Sequence, residues 1–245
     1  MSGTAQTIRR QMRSMANARL AKKYLTFYRT QPGGYGAGDR FLGVRVPVSR
    51  KIAAENVSLP LDQLRKLAES RFHEERFVAL VILVLQFNTA KKEEERKRLF
   101  DAYVQMVRSG KVVNNWDLVD ASAPYMGAYL IGDPKSREFL LKLVQSRNLW
   151  TQRVAILMTF SFIRNGDNRP TLLLAKRLLS HPHDLIHKAS GWMLREVGKN
   201  SLSDLRKFLT KHSARMPRTM LRYSIEKMQK RERQKWLSTV ARQKA

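Results

Sequence analysis

The chain contains no cysteine. Disulfides, cysteine-ligated iron–sulfur clusters and thiolate zinc sites are thereby excluded, and zinc fingers with them. Acid is scarce: 20 Asp and Glu stand against 47 Lys and Arg, a formal charge of +27 over 245 residues. Such an excess repels itself unless a polyanion or an acidic surface takes it up, so nucleic acid is the first partner to expect. No apolar run approaches the length of a membrane span, and no signal-type hydrophobic segment follows the basic start. These absences read as a soluble, intracellular chain. Residues 1–30 carry Arg9, Arg10, Arg13, Arg19, Lys22, Lys23 and Arg29 without one acid. A mitochondrial presequence would share that composition, but an N-terminal helix docked on the core or on phosphate explains the same residues.

Sustained period-two alternation is also missing, which argues against a sheet. Most segments read instead as amphipathic helix. "FVALVILVLQF" (77–87) has the Val and Ile content of a buried strand, yet "HEER" before it and "NTAKKEEERKRLF" after it carry helical spacing and charge, so a buried helix is expected. Helices of this kind return at 73–87, 148–163, 183–198 and 216–228, with shorter ones such as "PKSREFLLKLVQS" and "RPTLLLAKRLLS" between them. Arg153, Lys188 and Arg218 fall at matching places, 35 and 30 residues apart. That interval suits a two-helix repeat and implies an all-α solenoid of HEAT-like helical hairpins in a single domain. The three cations would then form a positive stripe lining a concave groove, shaped for a duplex backbone. "QPGGYGAGDRFLGVRVP" (31–47) is the clear irregular segment, joining a basic N-terminal helix to the repeats, with Pro47 opening the next helix.

"NNWDLVD" (114–120) places a carboxylate beside an indole in this basic background. Trp116 and Asp120 are one helical turn apart and share a face, while Asp117 points about 100° away and serves as the contrasting acid. Val112, Trp116, Val119 and Ala123 would also make a core stripe, and Asp120 could cap the next helix or hold an arginine, so spacing alone leaves the structural reading open. Arg153 and Trp192 lie within repeated helices near the groove-facing side, and Ser190 and Gly191 leave the second indole room. An indole face attracts positive charge, a carboxylate stabilises it at closer range, and an arginine grips phosphate. An alkylated purine is such a cation, and breaking its glycosidic bond builds an oxocarbenium-like sugar that an aspartate would stabilise. His181, His183 and His187 with Asp184 have one-turn spacing but no third ligand or glutamate base, so no metal is expected.

The stretches "FLGVRVP" (41–47), "NNWDLVD" (114–120), "NLWTQRVAIL" (148–157), "KASGWMLRE" (188–196) and "MPRTMLRYSIEKM" (216–228) resemble, in order, the HEAT-like-repeat DNA alkylation repair glycosylases of the AlkD type. The resemblance implies an all-α solenoid that hydrolyses 3-alkyladenine and 7-alkylguanine from duplex DNA without cofactor, as a monomer in a bacterial-type cytoplasm. It implies that the lesion need not be flipped into a pocket, contact being made with the deoxyribose and backbone of the damaged strand. It carries the family's sugar-cradling tryptophans to Trp116 and Trp192, its catalytic aspartate to Asp120 and its phosphate-contacting arginine to Arg153. Two departures stand out: Asn115 replaces a second tryptophan, and "GGYGAGD" lengthens the loop before "FLGVRVP". Some relatives bind DNA without excising bases, so a non-catalytic HEAT scaffold for branched or damaged DNA is the alternative, and an RNA or acidic-protein adaptor a third. On the enzymatic reading Asp120→Asn is expected to slow excision and Asp117→Asn to matter far less.

Overall fold

In the computed structural model, which describes residues 3–241 and their side chains through 238, every regular element is helical; no strand forms among the described residues, and one isolated bridge pairs Arg40 with Phe72. The chain divides into two compact units, the first ending at Ser122 and the second beginning at Ala123. The first holds α1 (Ala5–Ser14), α2 (Ala18–Phe27), α3 (Val46–Glu55), α4 (Leu61–Ala68), α5 (His73–Thr89), α6 (Glu93–Arg108) and α7 (Trp116–Asp120). The second holds α8 (Ala123–Met126), a 3-10 turn at Gly127–Leu130, α9 (Ser136–Val144), α10 (Leu149–Arg164), α11 (Arg169–Arg177), α12 (Asp184–Asn200), α13 (Leu202–His212), a 3-10 turn at Ser213–Arg215, α14 (Arg218–Ser224) and α15 (Lys230–Ala241).

In the first unit α5 is the axis. A helix apolar on every side must be covered on every side, and α5 packs against α3, α4, α6 and α7 with Phe77 through Val84 and Phe87 out of solvent. The basic N-terminal segment forms two helices where the sequence suggested one. Met15 and Ala16 break it, and Asn17 caps α2 by accepting the Leu20 N–H at 2.9 Å. Of the two, α1 is the one docked on the core: Ile8 and Met12 are fully buried, and α1 packs on α4 and α3. Pro47 stands in the first turn of α3, as its fixed φ predicts.

In the second unit α10 is the covered helix, packed by α8, α9, α11 and α12. Asn148 caps it by accepting from the amides of Trp150 and Thr151. The α12 helix packs in turn on α10, α13 and α14. Its approach to α14 is close because Gly191 has no side chain: a Cβ there would lie 2.5 Å from Tyr223 Cβ and 2.6 Å from the Met220 carbonyl oxygen. Gly191, read from the sequence as leaving the indole room, thus also makes room for α14. The segment 216–228 is helical only from Arg218 to Ser224, since Pro217 sets its start. The sequence also predicts a basic C-terminal helix over 229–245; α15 spans Lys230–Ala241, and residues 242–245 lie outside the described residues.

Candidate functional site

Trp116 opens α7 and Asp120 closes it, one turn apart and both half-buried. Asn115 starts the turn, its side-chain oxygen accepting the Trp116 N–H at 2.9 Å. The Trp116 ring belongs to a group of aromatic side chains. It stacks on Tyr28, ring centres 5.6 Å apart and planes 19° from parallel, and takes an edge contact from Phe27 at 5.9 Å. Tyr28 is stacked on its own account against Phe41 at 4.9 Å. The indole is therefore one layer of an aromatic stack supplied by α2 and the glycine-rich loop. Burial, with a smaller contribution from the nearby Asp120 charge, raises the Tyr103 phenol above its ordinary range.

Behind this stack is a buried polar network that the sequence did not disclose. "HEER" looks like a solvated flank, yet His73, Glu74, Glu75 and Arg76 are all buried. His73 places Nδ1 3.0 Å from Asp39 Oδ2 and Nε2 2.8 Å from Asp117 Oδ2. Burial alone would push its pKa down; the charge and hydrogen bond of Asp117, joined by those of Asp39, overcome this and raise it to about 9. At neutral pH it is an imidazolium donating from both nitrogens to two carboxylates. Asp39 also accepts from Arg76 at 2.6 Å, Asn114 at 2.9 Å and Asn115 at 3.3 Å. Burial would raise Asp39, but the hydrogen bond from His73 and the Arg76 charge hold it down at about 2. The Tyr28 hydroxyl donates to Asp117 Oδ2 at 3.1 Å, closing the path from the loop to the stack. Glu74 accepts from the amides of Leu42, Gly43 and Val44 at 3.0, 2.8 and 3.3 Å, which fixes "FLGV" onto the start of α5.

Two readings of the sequence change here. Asp117 does point away from Trp116 and Asp120, but at 9% exposure, holding His73 and Tyr28, it is no inert control for Asp120. Asn115, standing where the resemblance has tryptophan, does structural work: it caps α7 and donates to Asp39, and a Cβ on Gly36 would meet its Nδ2 at 3.0 Å.

In the second unit the environments of the remaining candidates diverge. Arg153 is only 5% exposed, and its Nη1 donates to the Leu185 carbonyl oxygen in the first turn of α12 at 2.5 Å. Lys188 pairs with Asp184 one turn earlier at 2.8 Å. Arg218 is exposed at the start of α14 and donates to the Leu237 carbonyl oxygen at 2.9 Å. Trp192 is half-buried on α12, its Nε1 donating to Glu196 at 3.2 Å. The three histidines of the segment 181–187 are engaged locally: His181 meets Gln152 at 2.8 Å, and His187 Nε2 meets the His181 carbonyl oxygen at 2.5 Å. Among the described residues no group of three or more His, Cys, Asp or Glu is arranged to hold a metal. A cavity of about 710 Å³ opens between α9, α10 and α11, lined by Arg137, Phe162, Asp167 and Arg169, and none of the candidate residues lines it.

The described residues thus form an all-helical protein in which an indole and a carboxylate, both on half-buried residues, share one helical turn beside a buried ionic network. The particular family follows from comparison: the chain matches the DNA alkylation repair enzyme family over residues 8–228 and belongs to it. A solved structure described as a predicted DNA alkylation repair enzyme from Enterococcus faecalis shares the fold at a TM-score of 0.68. It is 17% identical and covers 88% of this chain and 98% of its own. No curated protein matches.

Proposed function

We propose that this protein is a DNA glycosylase that hydrolyses the N-glycosidic bond of cationic alkylated purines, 3-alkyladenine and 7-alkylguanine, in duplex DNA. The observation that carries this is the Trp116–Asp120 pair: an indole held by a ring stack, and a carboxylate one turn away on a half-buried residue. Membership of the repair family supports the substrate. The order in which α10, α12 and α14 pack, with α11 and α13 following the first two, supports a stack of helix pairs.

A purine alkylated on a ring nitrogen already carries positive charge. When the bond from C1′ to the base nitrogen breaks, its electron pair goes to the base, which leaves neutral, and the sugar becomes oxocarbenium-like. Asp120 would face that charge and orient the water that adds at C1′, giving an abasic site and a proton released to solvent. Trp116 and Trp192 would present ring faces to the charged nucleotide. Lys188 and Arg218 would contact phosphate. Arg153, which donates to the Leu185 carbonyl oxygen, is assigned a phosphate contact by the family resemblance.

Chromatography of bases freed from methylated duplex DNA tests the proposal. Release of 7-methylguanine or 3-methyladenine is expected, slowed roughly 100-fold by Asp120→Asn, or about 3 kcal/mol of lost transition-state stabilisation. Equal release by wild type and mutant would return Asp120 to a structural role.

A further inference from the structure

Phe27, the last residue of α2, is 60% exposed although it stands against the aromatic stack. Its ring makes edge contacts with Tyr28 at 5.0 Å and with Trp116 at 5.9 Å, interplanar angles 87° and 68°. Those neighbours are not loose. Tyr28 lies flat between Phe41 and Trp116, and its hydroxyl is tied to Asp117, which His73 holds. The stack is thus pinned from behind, and Phe27 is its outward edge, with most of the ring left uncovered.

The surroundings select what would cover it. Lys22, Lys23 and Arg29 are exposed on the same helix and just beyond it, and residues 1–30 contain no acid. Arg29, at a left-handed φ of 50°, sets its guanidinium 5.8 Å from the centre of the Tyr35 ring. An exposed aromatic ring on a segment that also carries exposed cations is the pairing that binds nucleic acid strands, rings for bases and cations for phosphates. A base paired and stacked inside a duplex offers no face to such a ring; a displaced one does.

We propose that Phe27, backed by Trp116 and Tyr28, is a stacking site for an unpaired nucleobase of a DNA strand, next to the nucleotide held at Trp116. This deepens the proposed function, since it rests on Trp116 meeting DNA, and it adds recognition of a base out of its pair to contacts made with sugar and backbone. Stacking on a single ring is worth roughly 5- to 150-fold in affinity.

The test measures binding of the whole protein to two duplexes, one fully paired and one with a single bulged 2-aminopurine, by anisotropy and by 2-aminopurine fluorescence. Wild type is expected to prefer the bulged duplex about tenfold and to quench its fluorophore. Phe27→Ala should lose the preference and the quenching while binding paired DNA as before, and Phe27→Trp should retain both. Phe27→Leu keeps apolar bulk without a ring face and should behave as the alanine variant. Retention of the preference by Phe27→Ala or by Phe27→Leu overturns the site, as does equal loss on both duplexes. Trp116→Ala, followed on the same duplexes and in the excision assay, separates the two ideas: unchanged binding and excision would sink the reading of Trp116, whereas retention of the preference by Phe27→Ala would sink only the stacking site.

Discussion

His73 is a cation buried at the start of α5, and its charge is sustained by acids 34 residues before it and 44 after it. Because its folded pKa, about 9, lies above the ordinary 6.5, its contribution to stability is complete below pH 6.5 and is lost as pH rises through 9. Asp39, held near 2 against an ordinary 3.8, contributes above pH 3.8 and fails as pH falls towards 2. Urea midpoints should therefore be highest between about pH 4 and 6.5 and decline towards pH 9, by on the order of 3 kcal/mol in total from this residue. A flat profile across that alkaline range would mean His73 is neutral. Asp117→Asn should cost roughly 3 kcal/mol by the same measurement, since it leaves a buried imidazolium with one carboxylate. Only part of this centre was legible in the sequence. The Trp116–Asp120 spacing could be read because one turn of helix relates the two. "HEER" could not, because four consecutive polar residues look solvated until partners distant in sequence fold over them.

The helices show where periodicity informs and where it stops. The expected spans 73–87, 148–163 and 183–198 agree closely with α5, α10 and α12, because long apolar periods and polar starts mark them. The helix predicted at 216–228 is much shorter, and the single N-terminal helix is two. Caps such as Asn17 act through one hydrogen bond, which leaves little trace in composition. Gly191 carries the sharpest prediction at this scale. A methyl group there meets the Met220 carbonyl oxygen, which is backbone, so α12 and α14 must separate. Gly191→Ala should lower stability by at least about 2 kcal/mol, read as a fall in the urea midpoint. A midpoint within error of wild type would show that the two helices can slide apart freely.

Over the whole chain the +27 charge sets how strongly association responds to salt. Affinity for duplex DNA should fall linearly on a log–log plot, by about 0.9 in slope for each phosphate neutralised. Arg153→Ala is expected to flatten that slope by about 0.9 and, because the guanidinium also clamps the start of α12, to lower the Tm. A lowered Tm with an unchanged slope would leave Arg153 a clamp alone. Composition gave the partner class but not the division at Ser122, since "DASAPYM" around it has no linker character and the basic excess runs through both units.

One carboxylate decides how far the chain can be shortened. Glu75 has no solvent contact; Ser70 Oγ donates to it at 2.6 Å, and Arg9 and Arg13 of α1 reach it at 3.3 and 3.8 Å. Trimming the tail to tame its charge for purification would strip both guanidinium groups from that acid and uncover Phe72, over which Arg13 lies. Tags belong ahead of residue 4, and any version begun at Ala18 should carry Glu75→Gln with it.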